Sequence, residues 1–179
     1  MSGEKRSKPG AKGSVPEPMN DLRLGAARTR LTESRDAQDA IEGLREIVAN
    51  LLGSEEIGLF SLDRRTKMFR VCWSFGIDLE NYDLQKALGD AEIQRMMRGD
   101  CHVAFGAGSG SSIRADARAF VPIRVATQTV AILAIFSLLP QKLAFDDSDM
   151  ELFKLLSTEA AQPLFMKGID STRLALGVE

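Results

Sequence analysis

Two hydrophobic rhythms alternate along the chain, one repeating every three or four residues and one every second residue. From Asp36 the rhythm is helical: Ile41, Leu44, Val48 and Leu51 share one face, with Asp36 and Asp39 where a helix N-terminus favours negative charge. Gly53 is placed to end that helix. Upstream, Leu24, Ala27 and Leu31 either extend it or form a short helix of their own. The stretch IGLFSLDRRTKMFRVCWSFG then changes to period two, with apolar runs on both sides of the polar turn Asp63 to Lys67, which predicts an antiparallel hairpin. Uninterrupted alternation in its second arm sets Phe69, Val71, Trp73 and Phe75 on one face and Met68, Arg70, Cys72 and Ser74 on the other. That is the pattern of a half-buried strand near a sheet edge.

The helical rhythm returns over Leu84 to Met97, with Leu84, Leu88, Ile93, Met96 and Met97 as the apolar set and Gly89 placed to split it. After the Gly99-Asp100 turn, CHVAF reads as a strand, followed by the glycine-rich connector GAGSGSS. ARAFVPIRVATQTVAILAIFSLL is the strongest hairpin signal, two long apolar runs around Ala126 to Thr129. Its second arm, Val130 to Leu139, is apolar on both faces, so it belongs in the middle of a sheet covered on both sides. Finally, FDDSDMELFKLLSTEAAQPLF opens with Asp146 as a cap and carries Met150, Phe153, Leu156 and Ala160 on one stripe until Pro163 kinks or ends the helix. The order of elements is that of an α+β domain.

Composition narrows the class. The 179 residues suffice for one domain with tails, and 44% hydrophobic with 27% charged residues is a globular profile. The first eighteen residues, rich in Gly, Pro, Ser and Lys, lack apolar periodicity, and residues 1–20 are assigned to a disordered basic tail carrying Lys5, Arg6, Lys8 and Lys12. Residues 21–166 form the domain and 167–179 a C-terminal tail. A net charge of -2 provides no field to gather nucleic acid. No apolar run approaches the roughly 20 residues of a membrane span, and the N-terminus lacks the features of a secretory signal, so a cytoplasmic location is expected. Cys72 and Cys101, in separate segments, imply no disulfide framework.

RGDCHVAFGAGSGSS, residues 98–112, concentrates the candidate chemistry and yields little of it. His102 is the only histidine, which excludes a multi-histidine metal site or a histidine relay, and two separated cysteines lack zinc-ligand spacing. A phosphate-cradling glycine loop must open a helix, but the residues after this one lead into a strand. The Arg-Gly-Asp triplet has meaning only outside the cell. The DDSD cluster lacks the glycine and distal glutamate of a calcium loop and reads as helix capping. Trp73 on an apolar strand face reads as core.

The stretch RAFVPIRVATQTVAILAIFSLLPQKLAFDDSDMELFKLLSTEAAQPL resembles the C-terminal half of a GAF domain. Pro122 and Ile123 match its strand start, Val130 to Phe136 its apolar strand, and Phe145 through Asp149 its Phe-x-x-x-Asp entry to the last helix. AIEGLREIVANLLGSEEIGLFSLDRRTKMFRVCWSFG is similar to the opening helix and hairpin of that family. The resemblance implies an antiparallel sheet of five to six strands, with terminal helices packed on one face and short helices and loops over the other, where relatives hold a small-molecule pocket.

It also implies function. The favoured expectation is a non-enzymatic regulatory or signalling module acting through protein contacts, dimeric through its N- and C-terminal helices, partnered by another signalling or structural protein, with no cofactor or metal. One alternative is a small-ligand sensor whose pocket is lined by Trp73, Phe75, Met97, His102, Arg114 and Phe120. The Cys101-His102 dipeptide resembles the bilin-attachment pair of phytochromes but reads as part of a strand. The cyclic-nucleotide signature of related domains keeps only Phe145 and Asp149, with Met150 where its acid belongs. A second alternative, an enzyme resembling free methionine sulfoxide reductases, calls for three clustered cysteines where this chain has two.

Overall fold

Both hairpins form, and they share one antiparallel sheet in the computed structural model, which describes residues 17–63, 65–103 and 117–166. The strands are β1 (Ile57–Asp63), β2 (Met68–Phe75), β3 (His102–Val103), β4 (Ala119–Val125) and β5 (Gln128–Ile135), arranged β2-β1-β5-β4-β3. The predicted all-apolar arm is thus the middle strand. From Ala131 to Phe136 no residue of it is more than 2% exposed. Alternation distributes these side chains between two cores: Ala131, Leu133 and Ile135 belong to one, Ile132, Ala134 and Phe136 to the other.

The first core is covered by α1 (Glu17–Thr32), α2 (Ala37–Ile47) and α4 (Asp147–Glu159), the second by α3 (Leu84–Arg98) and the loop before it. Asp36 caps α2 by accepting a bond from the Asp39 backbone N–H at 2.9 Å, and the chain continues through a wider turn, Val48–Leu52, to Gly53. The stripe of Leu24, Ala27 and Leu31 lies on a helix of its own. Arg30 of α1 packs on Gly43 and pairs with Asp39 at 3.0 Å and Glu46 at 2.6 Å, and Arg23 reaches the Leu51 carbonyl, so α1 and α2 run antiparallel. α1 begins at Glu17, inside the stretch that composition assigns to the tail, and Asn20 already donates to the Glu151 carboxylate of α4. Residues 1–16 and 167–179, the rest of the two expected tails, lie outside the described residues.

One strand departs from the sequence expectation. Pairing between β1 and β2 shifts at Leu59/Phe60: Leu59 faces Trp73, whereas Phe60 faces Val71, so Cys72 is an extra residue. In such a bulge two successive side chains turn to the same side of the sheet. Cys72 and Trp73 therefore both pack toward the helices α1, α2 and α4, and Cys72, expected on the polar face, is a core residue 6% exposed. Phe69 packs in the opposite core, with Phe60. Strict alternation fails here because it presumes an unbroken ladder.

The helical layer is closed by one carboxylate. Asp149 is fully buried, and Arg23 of α1 reaches its Oδ1 at 3.0 Å while Lys142, from the loop before α4, reaches its Oδ2 at 2.7 Å. Asp149 also accepts the Asp146 backbone N–H at 2.9 Å, and Asp146 accepts the Asp149 N–H at 3.0 Å, so the acidic cluster is a reciprocal capping box. Arg23 donates further to Ser148 Oγ and to the Leu51 carbonyl, both at 2.6 Å. Asp149→Ala would remove the carboxylate from Arg23, Lys142 and the Asp146 N–H, and chemical denaturation is expected to show a loss of about 3–5 kcal/mol. Arg28→Ala, which breaks the exposed Arg28–Glu159 pair, should leave the unfolding midpoint nearly unchanged.

Candidate functional site

The face of the sheet opposite the three terminal helices is where the topology leaves room for a ligand, and α3 closes it. Asp83 starts α3 by accepting the Lys86 N–H at 3.0 Å, Gly89 interrupts it with non-helical angles, and Gly99 ends it in the left-handed region at φ 99°. Glycine suits that backbone angle, and the Arg124 guanidinium lies close over it, 2.6 Å from where a Cβ would stand. Thr129 of β5, also buried, donates its hydroxyl to the Met96 carbonyl at 2.8 Å and so fixes the C-terminal end of α3 to the central strand.

Among the described residues, a second apolar cluster occupies the space between. Tyr82 sits between Phe60 and Phe136, with ring centroids 5.7 Å and 5.4 Å away, the second contact edge-to-face. Leu84 and Met96 descend from α3 and are almost wholly buried, and Leu79 comes in from the loop. This is the packing of a core.

The sequence-predicted lining residues divide between the two faces. Met97 packs at the margin of the core under α3, and His102 pairs with Phe120 across β3 and β4, rings 6.1 Å apart. These three share the α3 side. Trp73 and Phe75 do not join them, because the bulge turns both toward the helices, where their rings stack at 6.5 Å and the Arg45 guanidinium of α2 lies 4.8 Å over Phe75. Arg114 lies outside the described residues, as do the glycine-rich connector and CHVAF beyond Val103. Sequence reasoning also missed the Lys142–Asp149 pair; its signals were the lysine seven residues upstream and the apolar Phe145, whose ring packs edge-on against Phe153 at 5.1 Å.

The remaining chemistry-bearing groups are placed apart. Cys72 lies in β2 at one edge of the sheet, whereas Cys101 precedes β3 at the other, four strand spacings or about 19 Å across. Burial pushes the Cys72 thiol up to about 11; burial and then the Asp100 charge push Cys101 to about 11 against the opposing pull of Lys154. Among the described residues no group of three or more His, Cys, Asp or Glu side chains is assembled for a metal ion, and no helix is long and apolar enough to cross a membrane. A cleft of about 320 Å³ opens on the helical side, between Leu31 and Thr32 of α1 and Thr158, Glu159, Gln162 and Pro163 at the end of α4.

No protein-family model matches the chain, and no curated protein sequence does. Solved structures do. One is the GAF domain from a phosphoenolpyruvate-protein phosphotransferase of Coxiella burnetii, with a TM-score of 0.60 and 17% identity over 83% of this chain and 95% of that one. The GAF domain from the Acinetobacter phosphoenolpyruvate-protein phosphotransferase gives 0.57 and 18% over 80% and 94%. A GAF domain/HD domain protein from Geobacter sulfurreducens gives 0.55 and 18% over 76% and 97%.

Since the ionised thiol is the nucleophile and both thiols stay neutral below about pH 11, alkylation of the native protein by iodoacetamide near pH 8 should run up to about 100-fold slower than for a free cysteine. Intact mass against time reads the rate, and unfolding in urea should restore it. Rapid labelling of Cys72 in the native protein would contradict its buried placement.

Proposed function

We propose that this chain, whose fold is that of a GAF domain, is a non-enzymatic regulatory module that works through protein contacts. The observation that carries the reading is the apolar cluster beneath α3. Where a ligand sensor needs a hollow with a few aimed polar groups, Phe60, Tyr82, Phe136, Leu84 and Met96 close against one another. The cysteines support the same side of the question. A thiol-based reduction needs a reactive thiolate and a resolving cysteine within reach, and here two neutral thiols stand at opposite sheet edges.

Contact surface is available on α1. Leu22 is 75% exposed, and Met19, one turn earlier, is also open, whereas Ala27 and Leu31 of the same helix are in the core. An exposed apolar start to a terminal helix is suited to pairing with a second copy, and a partner of the signalling or structural kind then reads the dimer. The likeness in fold to the GAF domain from a phosphoenolpyruvate-protein phosphotransferase and to a GAF domain/HD domain protein supports the regulatory class.

Native mass spectrometry of the protein purified from its own host tests both halves of the reading. Expected is a dimer with no small molecule attached, reverting to monomer in Leu22→Arg. A small molecule retained at full occupancy would instead make Met97, His102 and Phe120 the margin of a sensing pocket, and a wild-type monomer at every concentration would remove the dimer.

A further inference from the structure

α1 and α4 lie side by side and run in the same direction. Asn20 meets Glu151 near their starts and Arg23 reaches Asp149, whereas near their ends Arg28 holds the Glu159 carboxylate at 2.8 to 3.0 Å. Parallel helices bring their negative ends together. α4 has no basic residue in its last turn, and Arg30, the base in the last turn of α1, is turned away to Asp39 and Glu46 of α2. The cleft of about 320 Å³ opens at this shared end.

Its lining discriminates by charge. Thr32 donates its hydroxyl proton to the Arg28 carbonyl at 2.8 Å, and Thr158 donates to the Lys154 carbonyl at 3.0 Å, so each hydroxyl oxygen can only accept from a ligand. The Glu159 carboxylate and the Gln162 amide oxygen add acceptors. An anion would meet the Glu159 charge and hydroxyls whose protons are committed, whereas an ammonium or guanidinium meets partners it can bond. Buried Leu31 and Pro163 suit the methylene stem of such a cation. The volume falls at the small end of the range for small-molecule sites. Arg28, which already occupies Glu159, is 61% exposed, so exchanging it for a ligand cation costs little.

We infer that this cleft binds a small aliphatic amine or guanidine, its cationic head on Glu159 and the Thr32 and Thr158 hydroxyl oxygens, its stem against Leu31 and Pro163. Occupied, the cleft joins the ends of α1 and α4, two helices already joined near their starts through Asp149. The site is separate from the apolar start of α1, since Leu22 and Leu31 are about 14 Å apart along the helix. It is equally separate from the face under α3. A ligand held in an open cleft leaves on dilution, so protein purified without a bound molecule agrees with this site.

Agmatine, a butyl chain bearing an ammonium and a guanidinium, is the probe. Titrated into the isotope-labelled full chain, it is expected to shift the NMR signals of the Thr32, Glu159 and Gln162 amides. Glu159→Gln, which keeps the shape and removes the charge, should raise the half-saturating concentration about ten-fold. Arg28→Ala, which removes the competing cation, should lower it about three-fold. General loosening of the helix ends would weaken binding in both variants. Pentanoate and pentanol, of similar length, should leave the signals in place. Unmoved amides with agmatine, equal binding by wild type and Glu159→Gln, weaker binding by Arg28→Ala, or pentanoate binding as well as agmatine would each overturn the inference. A short peptide with a single arginine that bound more tightly than agmatine would also overturn it, by assigning the cleft to a protein partner.

Discussion

A strand that is apolar on both faces must be covered on both, and that demand on β5 organises the rest of the molecule. Removing Ala131 to Phe136 from water requires one layer against Leu133 and another against Ile132. The terminal helices supply the first, and the helix between the hairpins supplies the second. Because β5 is also the middle strand, each hairpin is completed only by pairing with the other. Thr129 extends the same logic to α3, whose last turn is fixed by a hydroxyl of the strand it covers.

Charge then decides how the helical layer closes. The apolar stripes of α1, α2 and α4 do not by themselves set which end of α1 meets α4. Asp149 does, since a carboxylate buried to that depth is tolerable only with partners. It takes one from α1, one from the loop and one from its own cap, so the start of the last helix, the first helix and Lys142 must assemble together. The other ion pairs of α1, such as Arg28–Glu159, are open to water and add little.

Most of this was legible in the sequence where a local rule governs. The acidic start of the helix at Asp36, the Asp146 cap, the split at Gly89, the turn after Asp63 and the central place of Val130 onward all follow from periodicity and helix-terminus chemistry, and the structure has them. What was not legible depends on distant neighbours. The faces of Cys72 and Trp73 are set by an extra residue in the pairing with β1, which a single strand's pattern does not record. Three of the six candidate lining residues, Met97, His102 and Phe120, share a side because they follow regular pairing or helix packing; Trp73 and Phe75 lie on the other because they follow the bulge. The charges on Arg23, Lys142 and Asp149 were visible, but their meeting was not, with 126 residues separating the first from the last.

The bulge at Cys72 also bears on how the protein avoids itself. β2 is an outermost strand eight residues long, with Met68, Val71 and Phe75 open to solvent, which is the profile of a template for uncontrolled strand addition. The extra residue kinks and overtwists the strand at its middle, so a straight incoming strand finds matching backbone groups on only half its length. The irregularity that misleads a pattern reader is, for the folded chain, a guard against aggregation along its exposed margin.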